Sequence, residues 1–414
     1  MDMPGAIERR TFLSLPFAAA LPPNPLPIAE TEVLRLEKKT TALRDADQQF
    51  QVNPLHVYDS LRPRPYKDGT PREVPSTARA NYLRIRTKGG PDGLYGPIDS
   101  EVVPVIEQQL KPFLIGKDAL ATETLWDQMY RSNRHARSSH FMMAISAIDN
   151  TLWDLRGRFF NTPVYRLLGG PTRPKIEAYA SCLGFSVEPD AVRRKAQELK
   201  AAGHRYQKWF MAWGPGDGPD GLQHAVNLVR VLRDAVGPEV DLMFDAYSGW
   251  QLDFAISWAK QVESLRPRWI EEAFPPDKLE AFAALRRATS VPVATGEHFY
   301  GRWEANRYLA AGAISVVQAD PEWCGGVSEL VKICGLATLY DAQVIPHGHS
   351  LHAALHVVAS QSPAVCPMVE YLVTKMRSYY TFEKNQLAPV NGFIELPDRP
   401  GFGIELTETP LPPK

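Results

Sequence analysis

Asp241-Leu-Met-Phe-Asp245, Trp269-Ile-Glu271-Glu272 and Ala294-Thr-Gly-Glu297-His298 are short apolar runs that each close on an acid. Asp245 and Glu271 lie 26 residues apart, and so do Glu271 and Glu297. Runs of this kind read as strands buried on both faces. Working outward, the same rhythm predicts eight strands: Ile176–Ala180, Tyr206–Phe210, Asp241–Asp245, Trp269–Glu272, Val293–Thr295, Val316–Gln318, Gln343–Ile345 and Met368–Leu372. The segments between them have helical spacing. Leu222, Val226, Val229 and Leu232 share one face, and Gly237 follows as a helix stop. Strand-helix alternation implies parallel strands with right-handed crossovers. Eight strands in roughly 200 residues favour an α/β barrel over an open doubly wound sheet. No Gly-x-Gly-x-x-Gly follows the early strands, which disfavours a dinucleotide fold.

Functional side chains of such a barrel sit at the C-terminal ends of its strands. Asp245, Glu271 and Glu297 end or follow the third, fourth and fifth strands, so they should converge. Any one of them alone reads as a solvated loop acid; the shared register argues otherwise. Three crowded carboxylates repel, and a hard divalent cation relieves that repulsion. Mg²⁺ suits the set because it keeps positions open for water or substrate oxygens. Asp320 and His347 follow the sixth and seventh strands, 27 residues apart. An Asp bonded to one ring nitrogen orients an imidazole as a general acid or base. His349 competes for that role. Lys208 ends the second strand and is expected to bind a carboxylate or to act as a base of depressed pKa. Glu370 ends the eighth, and a protonated carboxyl there would donate to an enolate oxygen.

Toward the N-terminus the pattern changes. Ala80–Thr87 alternates apolar and polar as a half-buried strand does, Lys88–Gly93 is a turn by composition, and Ser139–Phe160 has helical spacing. Together they suggest a small α+β domain. Arg9-Arg10-Thr11-Phe12-Leu13 precedes a short apolar run, Leu15 to Leu21, and reads as a twin-arginine export signal with a Pro-rich linker behind it. That predicts a periplasmic protein; a terminal tail with a chance Arg-Arg pair would leave it cytoplasmic. The run is shorter than the about 20 residues that span a bilayer. A net charge of −1 gives no basic footprint for nucleic acid. Cys182, Cys324, Cys334 and Cys366 form no CxxC, so neither a zinc site nor a disulfide framework is indicated.

The three-acid register, Trp269-Ile-Glu-Glu272, Thr295-Gly-Glu297 and the Asp320/His347 pair resemble the mandelate racemase subgroup of the enolase superfamily. Ala147-Ile-Asp149 through Gly170 is similar to that superfamily's junction between capping domain and barrel. Within the subgroup, Trp213-Gly-Pro215, Gly296-Glu-His298, Trp323-Cys-Gly-Gly326, Pro346-His-Gly348 and Pro400-Gly-Phe-Gly403 look like L-rhamnonate dehydratase and related acid-sugar dehydratases. The resemblance implies a modified TIM barrel of (β/α)7β type with an α+β N-terminal cap completed by the C-terminal tail. Residues 1–30 would be signal and linker, 31–160 the cap, 161–372 the barrel and 373–414 a segment returning to the cap. It implies Mg²⁺ on Asp245, Glu271 and Glu297, His347 and Asp320 as the proton-transferring pair, and Lys208 and Glu370 as further catalytic groups. His298, His349 and Trp323 would contact a small acid-sugar substrate, and the chain would form a homo-oligomer. Phe210 stands where subgroup racemases carry a second lysine, which disfavours racemisation. The region from His56 to Ser100 departs from the rhamnonate dehydratase pattern, so the substrate stays open. The alternatives are an epimerase or cycloisomerase of the same superfamily, and an exported, catalytically silent sugar-binding protein.

Overall fold

The computed structural model describes residues 26–44, 50–62 and 72–410. The Arg9-Arg10 segment lies outside the described residues. The first described element, β1 (Ile28–Arg44), pairs antiparallel with β2 (Arg72–Thr87), and β2 pairs with β3 (Gly93–Ile98). The sequence reading found only the end of this sheet. The reason is that charged residues are interleaved with the buried ones: Thr31 and Val33 are buried, while Glu32 and Glu30 form cross-strand pairs with Arg84 (2.6 Å) and Arg86 (3.1 Å), and beyond Val33 the buried side shifts to Leu34 and Leu36. The helix Ser139–Phe159 lies against this sheet, with its middle buried from Ala144 to Leu155. Gly93 allows that approach, since a Cβ there would collide with the Thr151 carbonyl and Leu155 Cβ.

From residue 175 on, strand and helix alternate. The parallel strands are β4 (Lys175–Ser181), β5 (Tyr206–Phe210), β6 (Asp241–Asp245), β7 (Trp269–Glu271), β8 (Val293–Thr295), β9 (Val316–Val317), β10 (Gln343–Val344) and β11 (Met368–Leu372). Each of β4 to β10 is followed by a helix, seven in all, from Pro189–Ala201 to His352–Ser360. The modified barrel with an α+β cap expected from the sequence is the arrangement found. The strands curl in the order β10-β9-β8-β7-β6-β5-β4-β11. Among the described residues no ladder joins β10 to β11; the Val344 N–H donates to Val365 O across that seam (2.8 Å). The tail adds β12 (Phe393–Glu395) antiparallel to β4.

The barrel interior explains where the chemistry falls. Tyr179, Met243, Trp269, Val316, Ile345 and Met368 form a separate apolar cluster inside it, with Tyr206 packed against them. Side chains two residues apart on a strand face the same way. Two residues beyond these positions stand Ser181, Lys208, Asp245, Glu271, Gln318, His347 and Glu370. An apolar plug therefore carries a polar layer directly above it.

Candidate metal and active site

Lys208 is the hub of that layer. Its side chain is 1% exposed, and Nζ reaches Glu271, Glu370 Oε1 (2.8 Å) and Asp245 Oδ2 (3.3 Å). Burial alone would lower its pKa, but the carboxylates of Glu271 and Glu370 hold it well above the usual lysine range. Paired with three carboxylates, it fits the reading of Lys208 as a carboxylate-binding cation better than that of a base of depressed pKa. Glu370 is placed in the same way. Burial would raise its pKa, but Lys208 and then His347 hold it down to about 2. Its Oε1 pairs with Lys208 and its Oε2 accepts the Gly348 N–H (2.8 Å), an arrangement that suits a carboxylate better than a proton donor.

The remaining acids outnumber their counter-charges. Burial pushes Glu271 up to about 8, against the pull of Lys208 and with the push of Asp245 and Glu370. Burial raises Asp245 against Lys208. Burial raises Glu297 far above the carboxylate range against His347, with Glu272, Asp245 and Glu271 adding to the rise. Carboxyl oxygens crowded with excess negative charge fit a hard divalent cation. Asp245 and Glu271 meet at Lys208, and Glu297 lines the same cavity as Asp245; among the described residues, however, the group gathered closely enough to hold an ion is formed around Glu272, not named as a ligand from the sequence, and leaves out Asp245 and Glu271. Glu272 accepts from Ser248 Oγ (2.8 Å) and Thr295 Oγ1. With Glu297 and His298 it offers three ligand atoms within 4.8 Å of one another.

His347 Nδ1 lies 2.8 Å from Asp320 Oδ2. Asp320 is buried, and the Glu322 and His349 backbone N–H groups also donate to it (2.7 and 3.1 Å). Its carboxylate is therefore rigid, and the imidazole it holds presents Nε2 toward Glu297 Oε2 (3.8 Å). Burial would lower the His347 pKa; Glu297 and Asp320 raise it to about 10. Trp323 stacks between His298 (5.5 Å, 1°) and His347 (4.9 Å, 29°), and its ring also meets His349 (5.0 Å). His349 is not the dyad member. Its Nε2 lies 3.0 Å from Asp99 Oδ1 in the cap, and its Nδ1 lies 3.0 Å from Lys375 Nζ.

These groups line a cavity of about 430 Å³. Its polar wall holds Lys208, Asp245, Glu297 and His347; Leu183, Phe210, Leu372 and Pro54 supply an apolar wall. Lys375 and Tyr247 also line it, and neither was singled out from the sequence. Pro54 comes from the N-terminal part, in a turn of helix Pro54–Val57. Among the described residues, no helix is long and apolar enough to cross a membrane.

Residues 62–169 match the mandelate racemase / muconate lactonizing enzyme N-terminal domain family, and residues 191–409 match the enolase C-terminal domain-like family. The chain is 32% identical over 311 residues to an L-rhamnonate dehydratase of Saccharopolyspora erythraea, covering 73% of this chain and 76% of that one. It is 32% identical over 317 residues to a D-galactarolactone cycloisomerase of Agrobacterium fabrum, covering 74% and 83%. A solved rhamnonate dehydratase from Gibberella zeae, complexed with Mg, superposes with a TM-score of 0.78 at 26% identity, covering 93% of this chain and 95% of that one.

Proposed function

The chain belongs to the mandelate racemase / muconate lactonizing enzyme family of the enolase superfamily, and from that premise we propose that it is a Mg²⁺-dependent dehydratase of an acid sugar. The observation that carries the reading is the excess of buried carboxylates beside a His347–Asp320 pair in one cavity. Asp245, Glu271 and Glu297 would hold the cation, which supplies Lewis-acid stabilisation of the charge that grows on a substrate carboxylate as its α-proton leaves.

Everything else falls to the protein's own side chains. Asp320 holds His347 through Nδ1, which leaves Nε2 to take the α-proton. Glu297 raises the His347 pKa at 3.8 Å, and once Glu297 shares its charge with a cation that cause is removed. The proton on Nε2 then passes to the departing 3-hydroxyl on the same face. The C3–O bond breaks, water leaves, and the enol left behind tautomerises to a 2-keto-3-deoxy acid. One histidine serving both steps implies syn elimination. Phe210 fits this, since no second lysine stands on β5 to work from the opposite face. Glu370 and Lys208 fix each other, and Lys208 orients Glu271 and Asp245 rather than moving a proton.

A panel of mono- and diacid sugars with Mg²⁺, read for 2-keto products, tests the assignment. His347→Asn should lower kcat by about 10³-fold or more while Mg²⁺ still binds. Unchanged turnover in that variant would remove His347 from the mechanism. The cycloisomerase relative supports a second reading. Solvent deuterium entering at the α-carbon without loss of water would favour it. Export by the twin-arginine route is a separate proposal, tested by whether Arg9-Arg10→Lys-Lys retains the protein in the cytoplasm.

A further inference from the structure

Lys375 stands on the helix Val373–Tyr379 immediately after β11, and it lines the cavity beside Leu372. Its ammonium donates to His349 O (2.7 Å) and His349 Nδ1 (3.0 Å). The second bond fixes the imidazole: Nδ1 accepts, so Nε2 carries the hydrogen and donates to Asp99 Oδ1. An ammonium has three hydrogens; the Tyr379 ring lies 4.4 Å from Nζ, and among the described residues the third hydrogen has no oxygen or nitrogen acceptor. Lys208, the other lysine of the cavity, touches three carboxylates; Lys375 has none within 4.0 Å among the described residues.

The acids near Lys375 are already engaged. Glu370 is paired with Lys208, and Asp320 with His347. Glu322 is buried, burial raises its pKa, and it accepts the Tyr95 hydroxyl. Asp99 has two N–H donors, His349 Nε2 and Trp323 Nε1 (3.4 Å), and keeps contact with solvent. Burial lowers the Lys375 pKa, which is the mark of an ammonium short of compensation. A sparsely compensated cation in a cavity wall is completed by an anion in the cavity. The Trp323 ring touches both His347 and His349, so the proton-transfer end and the Lys375 end adjoin one indole, within the span of a short carbon chain.

We propose that Lys375, held by His349 and Asp99, binds a second carboxylate of the substrate, and that the preferred substrates are dicarboxylic sugar acids (aldarates) rather than the matching aldonates. The proposal rests on the acid-sugar reading above and names the substrate class within it. Lys375 is a specificity-determining residue here, with no part in the proton transfer.

The test compares aldonate and aldarate pairs of identical stereochemistry with wild-type enzyme and Lys375→Met in Mg²⁺. Wild type should prefer the aldarate by about tenfold or more in kcat/KM. Lys375→Met should lower kcat/KM for the aldarate about a hundredfold, mainly through KM, and leave the aldonate within about threefold. A wild-type preference for aldonates, or an equal loss for both classes in Lys375→Met, overturns the proposal. Calorimetry on the His347→Asn background reads the contact without turnover. Adding Lys375→Met there should weaken aldarate binding, and Lys375→Arg should restore part of it. If neither class gives a 2-keto product, the dehydratase reading falls. The calorimetric arm still decides Lys375, because aldarate affinity unaltered by Lys375→Met overturns its role.

Discussion

Glu272 has a φ of +46°, in the left-handed region that non-glycine residues seldom adopt. In a regular strand, Glu271 and Glu272 would project to opposite sides. The turn after Glu271 instead lets both acids reach the same cluster: Glu271 at Lys208 and Glu272 beside Glu297. Glu297 is thus common to the gathered group with Glu272 and His298 and to the proposed set with Asp245 and Glu271. The fourth carboxylate was not legible in the sequence because the acid doublet is visible there but the sign of φ is not. Asp245, Glu271 and Glu297 were legible because equal spacing in a barrel is a statement about position. Titration of Mg²⁺ into single variants separates the sets. Asp245→Asn and Glu271→Gln should each weaken Mg²⁺ binding about tenfold or more, about 1.4 kcal/mol. Glu272→Gln should change it by less than about threefold. A larger loss from Glu272→Gln than from Glu271→Gln would move the cation to the other set.

At the scale of the element, the buried parallel strands were readable as apolar runs. β5, β6, β8 and β11 begin and end where the sequence places them, and β7, β9 and β10 are each a residue shorter than expected. The β1–β2 pair escaped because its exposed side is charged along its length, from Glu30 to Lys39. Helices hide their polar residues differently. His352–Ser360 is buried throughout except at its end and carries His356 in its interior. The Tyr165 N–H donates to His356 Nδ1 (3.1 Å), and the ring meets Tyr165 and Phe402. Burial lowers the His356 pKa from 6.5 to about 3. The unfolded chain gains a proton below about pH 6.5 that the folded chain refuses until near pH 3. Stability linked to this residue is thus complete above 6.5 and is lost as pH falls through that window, by up to about 1.4 kcal/mol per pH unit. His356→Asn keeps an acceptor for Tyr165 and cannot titrate. Urea unfolding between pH 6.5 and 4 should show a shallower loss in the variant, by up to one proton; identical slopes would mean that His356 titrates normally.

Over the whole molecule, three distant stretches of chain meet at one carboxylate. Asp154 is buried in the helix Ser139–Phe159. It accepts the Leu94 N–H from β3 (2.8 Å), the Phe402 N–H from the tail (2.9 Å) and Arg158 Nε from its own helix (2.5 Å). Arg158 in turn donates to Ile404 O (2.9 Å), and earlier in the tail Glu383 accepts the Tyr82 hydroxyl from β2 (2.8 Å). From its own residues the tail showed no periodicity, because its partners are single backbone groups and not a repeating face; its return to the cap was implied by the resemblance, which rests in the tail on Pro389-Val-Asn-Gly392 and Pro400-Gly-Phe-Gly403. The tail also pairs with β4 through β12, so it ties the N-terminal sheet to the first barrel strand. Such wiring predicts that sheet, barrel and tail unfold together. Asp154→Ala leaves two buried N–H groups and the Arg158 guanidinium without their acceptor, a loss of about 3 kcal/mol or more. Chemical denaturation followed by tryptophan fluorescence, which samples Trp126 and Trp153 near the cap and Trp209, Trp258 and Trp269 in the barrel, should show one transition moved to lower denaturant. If the variant instead unfolds in two steps, with the barrel signal at the wild-type midpoint, Asp154 serves the cap alone and the tail does not couple the two halves.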